Sequence, residues 1–129
     1  MPDTFARLKG LRVLIVEDEL IIAMELESLL GRLGCVVLDT APTVKRALGA
    51  IGHQQADLAV LDMNLQGERA TPVAEALQEQ GVPFVVVTGY GSERLPERAL
   101  RDIPCLRKPV NGHQLARVIC EVLAHQDNS

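Results

Sequence analysis

The sequence predicts an α/β domain built on a five-stranded, doubly wound parallel sheet. Three observations carry that expectation. Short apolar runs recur along the chain, and stretches with helical periodicity separate them. Runs such as Leu58-Ala59-Val60-Leu61 and Phe84-Val85-Val86-Val87 are apolar at every position, as strands covered on both faces must be. Polar residues stand where runs end: Glu17-Asp18-Glu19, Asp62, Thr88 and Lys108.

Residues 1–10 are a polar lead ending at Gly10. The first strand is Leu11-Arg12-Val13-Leu14-Ile15-Val16, rich in branched residues. Leu20 to Leu33 then carries Ile22, Leu26, Leu29, Leu30 and Leu33 as a helical stripe, which Gly34 stops. Asp18 or Glu19 starts that helix, where a negative charge suits the helix dipole. Cys35-Val36-Val37-Leu38 is the second strand. Ala41-Pro42-Thr43 turns the chain into a helix of roughly ten residues through Ala47, Leu48 and Ile51, closing at Gly52. Leu58 to Leu61 is the third strand, with Asp62 at its end. Thr71-Pro72 opens the next helix, with proline in its favoured first turn, Val73, Ala76 and Leu77 on one face, and Gly81 at its end. Phe84 to Val87 is the fourth strand, leading into Thr88-Gly89-Tyr90-Gly91. A short helix is expected over Pro96 to Leu100. Ile103-Pro104-Cys105-Leu106 is the fifth strand and ends near Lys108-Pro109. His113 to His125 is the last helix, striped with Leu115, Val118, Ile119, Val122 and Leu123.

Five strands alternating with five helical patterns spell right-handed crossovers and the flavodoxin-like strand order 2-1-3-4-5, a (βα)5 arrangement. The first and third strands are then neighbours. Their carboxyl ends bring Glu17, Asp18 and Asp62 to the switch point of the sheet, where ligands bind in such folds. The fourth and fifth strands bring Thr88 and Lys108 beside them. A single domain over residues 11–125 is expected, with 126–129 as a tail and no output domain. A 129-residue chain that is 47% hydrophobic and 23% charged is long and apolar enough for one such core. A net charge of -4, two Phe, one Tyr and no Trp give no case for binding nucleic acid or an anionic membrane. No signal pattern or membrane-length apolar run is present, which predicts a cytoplasmic protein. Cys35, Cys105 and Cys120 make no metal-ligand spacing and read as reduced, mostly buried thiols, the last two as small core residues. His53, His113 and His125 read as surface or cap residues.

Three carboxylates at one sheet edge repel one another, and a divalent cation removes the conflict. An all-oxygen site that keeps waters favours Mg2+ over zinc or calcium. The loop backbone near Asn64 can add a carbonyl oxygen. With a cation on one side and Lys108 on the other, Asp62 is poised to attack a phosphorus atom. Thr88 can donate a hydrogen bond to a transferred oxygen, and Gly89 leaves room for the group to enter. Each residue alone has a simpler reading: a solvated helix start, a turn former before Gly67, a strand end, a surface charge. Pro109 either stops the fifth strand or directs the lysine through a cis bond. The full set at strand ends outweighs these readings.

Glu17-Asp18 after the first strand, Asp62 after the third, Thr88 after the fourth and Lys108-Pro109 after the fifth resemble the receiver domain of two-component response regulators. The resemblance runs over nearly the whole chain. It implies a single-domain response regulator whose Asp62 accepts a phosphoryl group from a histidine kinase or histidine phosphotransfer protein. It implies Mg2+ held by Asp18 directly, by Glu17 through water, by Asp62 and by the backbone carbonyl of Asn64. Lys108 would pair with the phosphate and Thr88 would swing toward it. The protein would not be an enzyme beyond self-catalysed phosphotransfer and dephosphorylation. Its signal would leave by onward phosphotransfer or through a surface made by the last helix, the fifth strand and residues 89–101, with dimerisation on phosphorylation left open.

The chain departs from that pattern in two places. Asn64-Leu65-Gln66-Gly67 replaces a Met-Pro step, and Cys105 stands where receivers carry an aromatic switch residue. Thr88-Gly89-Tyr90-Gly91, with Leu65-Gln66-Gly67-Glu68, resembles a subgroup of stand-alone alphaproteobacterial receivers associated with stress-signalling kinases. These share a Phe-Ala-Thr-Gly type motif, in which Val86-Val87 here replace Phe-Ala. Tyr90 is then a switch residue, or else an exposed loop aromatic; Asn64 and Tyr90 flank the path of an attacking water and tune phosphoryl lifetime. Three rivals are weaker. A haloacid-dehalogenase-like phosphatase wants a second acid where Asn64 stands, and a cap domain. An unphosphorylated scaffold need not keep the acids, Thr88 and Lys108 together. A flavodoxin wants a phosphate loop where this chain has acids.

Overall fold

The structure, a computed structural model, describes residues 6–89 and 103–127. After a 3-10 turn at Ala6–Leu8, the elements run β1 (Arg12–Val16), α1 (Leu20–Arg32), β2 (Val36–Ala41), α2 (Val44–His53) and β3 (Leu58–Asp62). A small hairpin of β4 (Asn64–Leu65) and β5 (Glu68–Arg69) follows, then α3 (Thr71–Glu79), β6 (Phe84–Thr88), β7 (Cys105–Arg107) and α4 (Gly112–Asp127). The large sheet has the order β2-β1-β3-β6-β7, and every pairing in it is parallel. Without the two hairpin strands this is the expected order 2-1-3-4-5. The helix expected over residues 96–100 and the residue Tyr90 lie outside the described residues. Among the described residues, no helix is long and apolar enough to cross a membrane.

The strand pleat divides the core in two. Leu14, Val16, Ala59, Leu61, Phe84 and Val86 face one side and pack with Val44, Ala47 and Ala50 of α2 and Val73, Ala74 and Leu77 of α3. Val13, Ile15, Leu58, Val60, Val85 and Val87 face the other, against Leu26 and Leu30 of α1 and Leu115, Ala116, Ile119 and Leu123 of α4. Alternation along the strand assigns each residue its face. All five residues of β3 and all five of β6 are buried, which is why their runs carry no polar alternation.

Several boundaries differ from the sequence reading. β2 runs on to Ala41, because β1 pairs with it as far as Val16 and the Glu17 N–H then bonds the Ala41 carbonyl at 3.0 Å. α2 passes through Gly52 and ends at His53, where the Gln54 N–H still reaches the Ala50 carbonyl at 2.8 Å. β7 begins only at Cys105, since Pro104 has no N–H to pair. α4 starts a residue early because Asn111 caps it: its Oδ1 accepts from the His113 and Gln114 N–H groups at 2.8 and 3.1 Å. The cap is therefore Asn111 and not His113. Among the thiols, Cys35 is buried and Cys120 half-buried, but Cys105 is exposed. That corrects the expectation of a core residue: β7 is an edge strand of the sheet, and its side chains alternate exposed, buried, exposed.

Candidate functional site

β1 and β3 are neighbours, and Val16 pairs with Leu61, so the residues just beyond that pair share one end of the sheet. There Glu17, Asp18 and Asp62 each place a carboxylate oxygen within 4.8 Å of the others. Glu17 and Asp62 are buried, 2% and 6% exposed, and Asp18 is half-buried. The pleat explains the first two: Glu17 continues the series Val13, Ile15, and Asp62 the series Leu58, Val60, so both turn to the α1–α4 side. Lys108, two residues after the buried Leu106, turns the same way. Its Nζ lies 3.1 Å from Asp62 Oδ2, 3.0 Å from Glu17 Oε1 and 3.9 Å from Glu19 Oε1. The Lys108–Pro109 peptide is cis.

Backbone donors hold the acids in place. The Asn64 N–H donates to Asp62 Oδ1 at 3.0 Å, and the Gln66 N–H donates to Asp18 Oδ2 at 2.9 Å. Glu19 is the N-cap residue of α1, but its side chain makes no cap; its N–H instead donates to Glu17 Oε2 at 3.0 Å. The β4–β5 hairpin is what aims the Gln66 donor. Gln66 and Gly67 both have positive φ, 54° and 87°, as a tight two-residue hairpin turn demands. The Asn64 side chain closes that turn, its Oδ1 accepting from the Gly67 N–H at 2.9 Å.

Thr88 ends β6 and is 4% exposed. Its carbonyl accepts from the Lys108 N–H at 2.9 Å, and its hydroxyl accepts from the Cys105 thiol at 3.8 Å. Of the residues singled out from sequence, Glu17, Asp18, Asp62 and Lys108 thus form one contact set, with Thr88 joined through the Lys108 backbone. Asn64 adjoins the set through its own N–H, Cys105 touches Thr88 from the edge strand, and Tyr90 lies outside the described residues. Sequence reasoning missed the Glu19 and Gln66 backbone donors. Donors from the main chain leave no mark on residue type; the turn dipeptide Gln66-Gly67 is the one available signal.

Three carboxylates face one ammonium, so the cluster carries excess negative charge. Burial, with repulsion from Asp62, pushes Glu17 up to about 7, against the opposing pull of the Glu19 N–H and Lys108. Burial alone would lower Lys108, but the close negative charges of Glu17 and Asp62 leave it raised. Glu17 Oε1 is fully buried and, although close to Nζ, receives no well-directed hydrogen bond. An under-bonded buried oxygen in an all-oxygen acidic set fits a hard divalent cation.

The structure is thus a parallel α/β domain that gathers acids and a half-buried lysine at its switch point. The chain belongs to the response regulator receiver domain family, whose sequence profile matches residues 13–119. It is similar to the solution structure of SdrG from Sphingomonas melonis Fr1, with 39% identity over 90% of this chain and 98% of that one and a TM-score of 0.80. It is also similar to the response regulator receiver domain of Erythrobacter litoralis PhyR, with 28% identity over 92% and 94% of the two chains and a TM-score of 0.78. The sensory transduction protein LytT of Bacillus subtilis is 30% identical over 112 residues, 84% of this chain and 46% of that protein. The chain spans less than half the length of the curated relatives it matches.

Proposed function

We propose that Asp62 is a phosphoacceptor, taking a phosphoryl group from a phosphohistidine of a histidine kinase or phosphotransfer protein. The observation that carries this is the Asp62 carboxylate itself. It sits at the switch point with one oxygen on Lys108 and stands among two further acids within 4.8 Å. An Asp62 oxygen would form the new bond to phosphorus as the phosphorus–nitrogen bond to imidazole breaks, the imidazole leaving with the electron pair. Lys108, held by ionic contacts to Glu17 and Asp62, would follow the charge onto the phosphoryl oxygens. The Thr88 hydroxyl keeps its own hydrogen to donate to one of those oxygens. Asp18, Asp62, the Asn64 carbonyl and, through water, Glu17 would hold Mg2+, which when bound neutralises charge on the transferred oxygens. The partner would read the result on α4, β7 and the segment that begins at Gly89.

A phosphatase of the haloacid-dehalogenase type is not favoured. The position it would need for a second acid is Asn64, whose side chain is committed to the hairpin turn. The test is intact mass after incubation with Mg2+ and acetyl phosphate. Wild type should gain one phosphoryl mass, and neither Asp62→Asn nor EDTA-treated protein should gain it. An adduct of equal yield in Asp62→Asn would overturn the assignment.

A further inference from the structure

Among the described residues, Glu19 brings the one exposed carboxylate to Lys108. Its Oε1 lies 3.9 Å from Nζ on a side chain that is 63% exposed, whereas the Glu17 and Asp62 side chains on the same ammonium are 0% and 8% exposed. Glu19 therefore lies on the solvent side of the ammonium, at the entrance to Asp62. It stands at the N-cap of α1, yet its side chain makes no cap bond, and glutamate is not among the residues that cap well. The helix dipole welcomes a negative charge near the terminus wherever the side chain points, so it does not account for a carboxylate turned to Lys108. Charge counting gives the consequence. A divalent cation and Lys108 together balance the carboxylates of Glu17, Asp18 and Asp62. The charge left over is that of Glu19.

We propose that Glu19 sets the charge selectivity of this entrance: its exposed carboxylate, held beside Lys108, slows phosphoryl transfer from donors in proportion to their negative charge. The inference rests on the phosphoacceptor reading of Asp62. An anionic donor must bring its phosphoryl oxygens to Lys108, and Glu19 is already within ion-pair distance of that ammonium. The two compete for it and repel each other across the span of two ion-pair contacts. Through water, one carboxylate at that range opposes a dianion by a factor of about three to ten and a monoanion by about two to three. Salt weakens the effect, because the carboxylate is exposed. The buried charges of Glu17 and Asp62 are balanced within the site and are screened far less. With acetyl phosphate as donor, the bond from an Asp62 oxygen to phosphorus forms as the bond to acetate breaks, and acetate leaves with the electron pair.

The experiment is the rate of adduct formation, read by intact mass at pH 8 with Mg2+ saturating for each variant. The donors are acetyl phosphate and phosphoramidate, which carries one negative charge fewer. At low salt Glu19→Gln should react about three- to tenfold faster than wild type with acetyl phosphate and about two- to threefold faster with phosphoramidate. Glu19→Asp keeps the charge and should stay within about twofold of wild type. Near 1 M salt, where charges are felt over only about 3 Å, the gain in Glu19→Gln should fall below about twofold with either donor. Absence of a gain, a gain equal for the two donors, or one that persists at high salt overturns the inference. So does a slower Glu19→Gln, which would make Glu19 a positioning residue for Lys108. In each of those outcomes the phosphoacceptor reading stands. No adduct on wild type with either donor overturns that reading and this inference with it.

Discussion

Glu17 shows at the scale of one residue what the acidic cluster costs the fold. The unfolded chain gives up this proton near 4.5, whereas the metal-free native state holds it to about 7. Between those values the native state binds more protons, so raising the pH removes stability throughout that window. The loss is complete above the native value and amounts to roughly 3 kcal/mol. Urea unfolding in EDTA at pH 5 and pH 8 should show the decline in wild type and a flatter profile in Glu17→Gln; parallel profiles would refute it. Lys108 provides the counterpart. Its ammonium is the cation that Glu17 and Asp62 share, and all three side chains are nearly or fully buried. Lys108→Met leaves the two acids facing each other with no ammonium between them. It should lower stability in EDTA at pH 8 by about 3 kcal/mol. At pH 5, where Glu17 keeps its proton, the loss should be much smaller. An equal loss at both pH values would mean that Lys108 acts by packing alone.

At the scale of the element, the β4–β5 hairpin is the piece that positions Asp18. Gly67 has a φ of 87°, and nothing lies within 4 Å of where its Cβ would be. Gly67→Ala therefore carries a backbone cost alone, about 1 kcal/mol, with no clash to relieve. Because the same turn aims the Gln66 N–H at Asp18, the substitution should also weaken Mg2+ binding, on the order of tenfold. A stability loss without any loss of Mg2+ affinity would show that Asp18 does not depend on the hairpin. The hairpin was not legible in the sequence, since strands of two residues have no periodicity to find. The large sheet was legible, because β3 and β6 are buried on both faces and their apolar runs follow from that burial. Cys105 misleads for a related reason. The expected order already put its strand at the edge of the sheet, but an apolar run does not say which of an edge strand's alternating side chains is left uncovered. Strand ends were easier to place, because a lone acid or lysine after an apolar run has few other positions in such a fold.

Across the whole molecule, the four residues of the contact set come from strands that pair in an unbroken series from β1 through β3 and β6 to the edge strand β7. Glu17 and Asp18 follow β1, Asp62 ends β3, and Lys108 follows β7, which pairs with β6, the other neighbour of β3. A ligand that joins these ends is bound only when the sheet has formed, so its binding free energy adds to the stability of the entire domain and not to one loop. Mg2+ at a hundred times its dissociation constant should then raise the free energy of unfolding by about 2.7 kcal/mol, with an unchanged dependence on urea concentration. The gain should be largest above neutral pH, where Glu17 has lost its proton and the cluster is most negative. Asp18→Asn and Asp62→Asn should each remove most of it, while Asp57→Asn, at the exposed Arg12 ion pair, should keep it in full. Equal Mg2+ stabilisation in Asp18→Asn and wild type would place the ion elsewhere on this acidic protein. Stabilisation that is lost in both cluster variants and kept in Asp57→Asn would tie the metal, the switch point and the folding of the sheet into a single equilibrium.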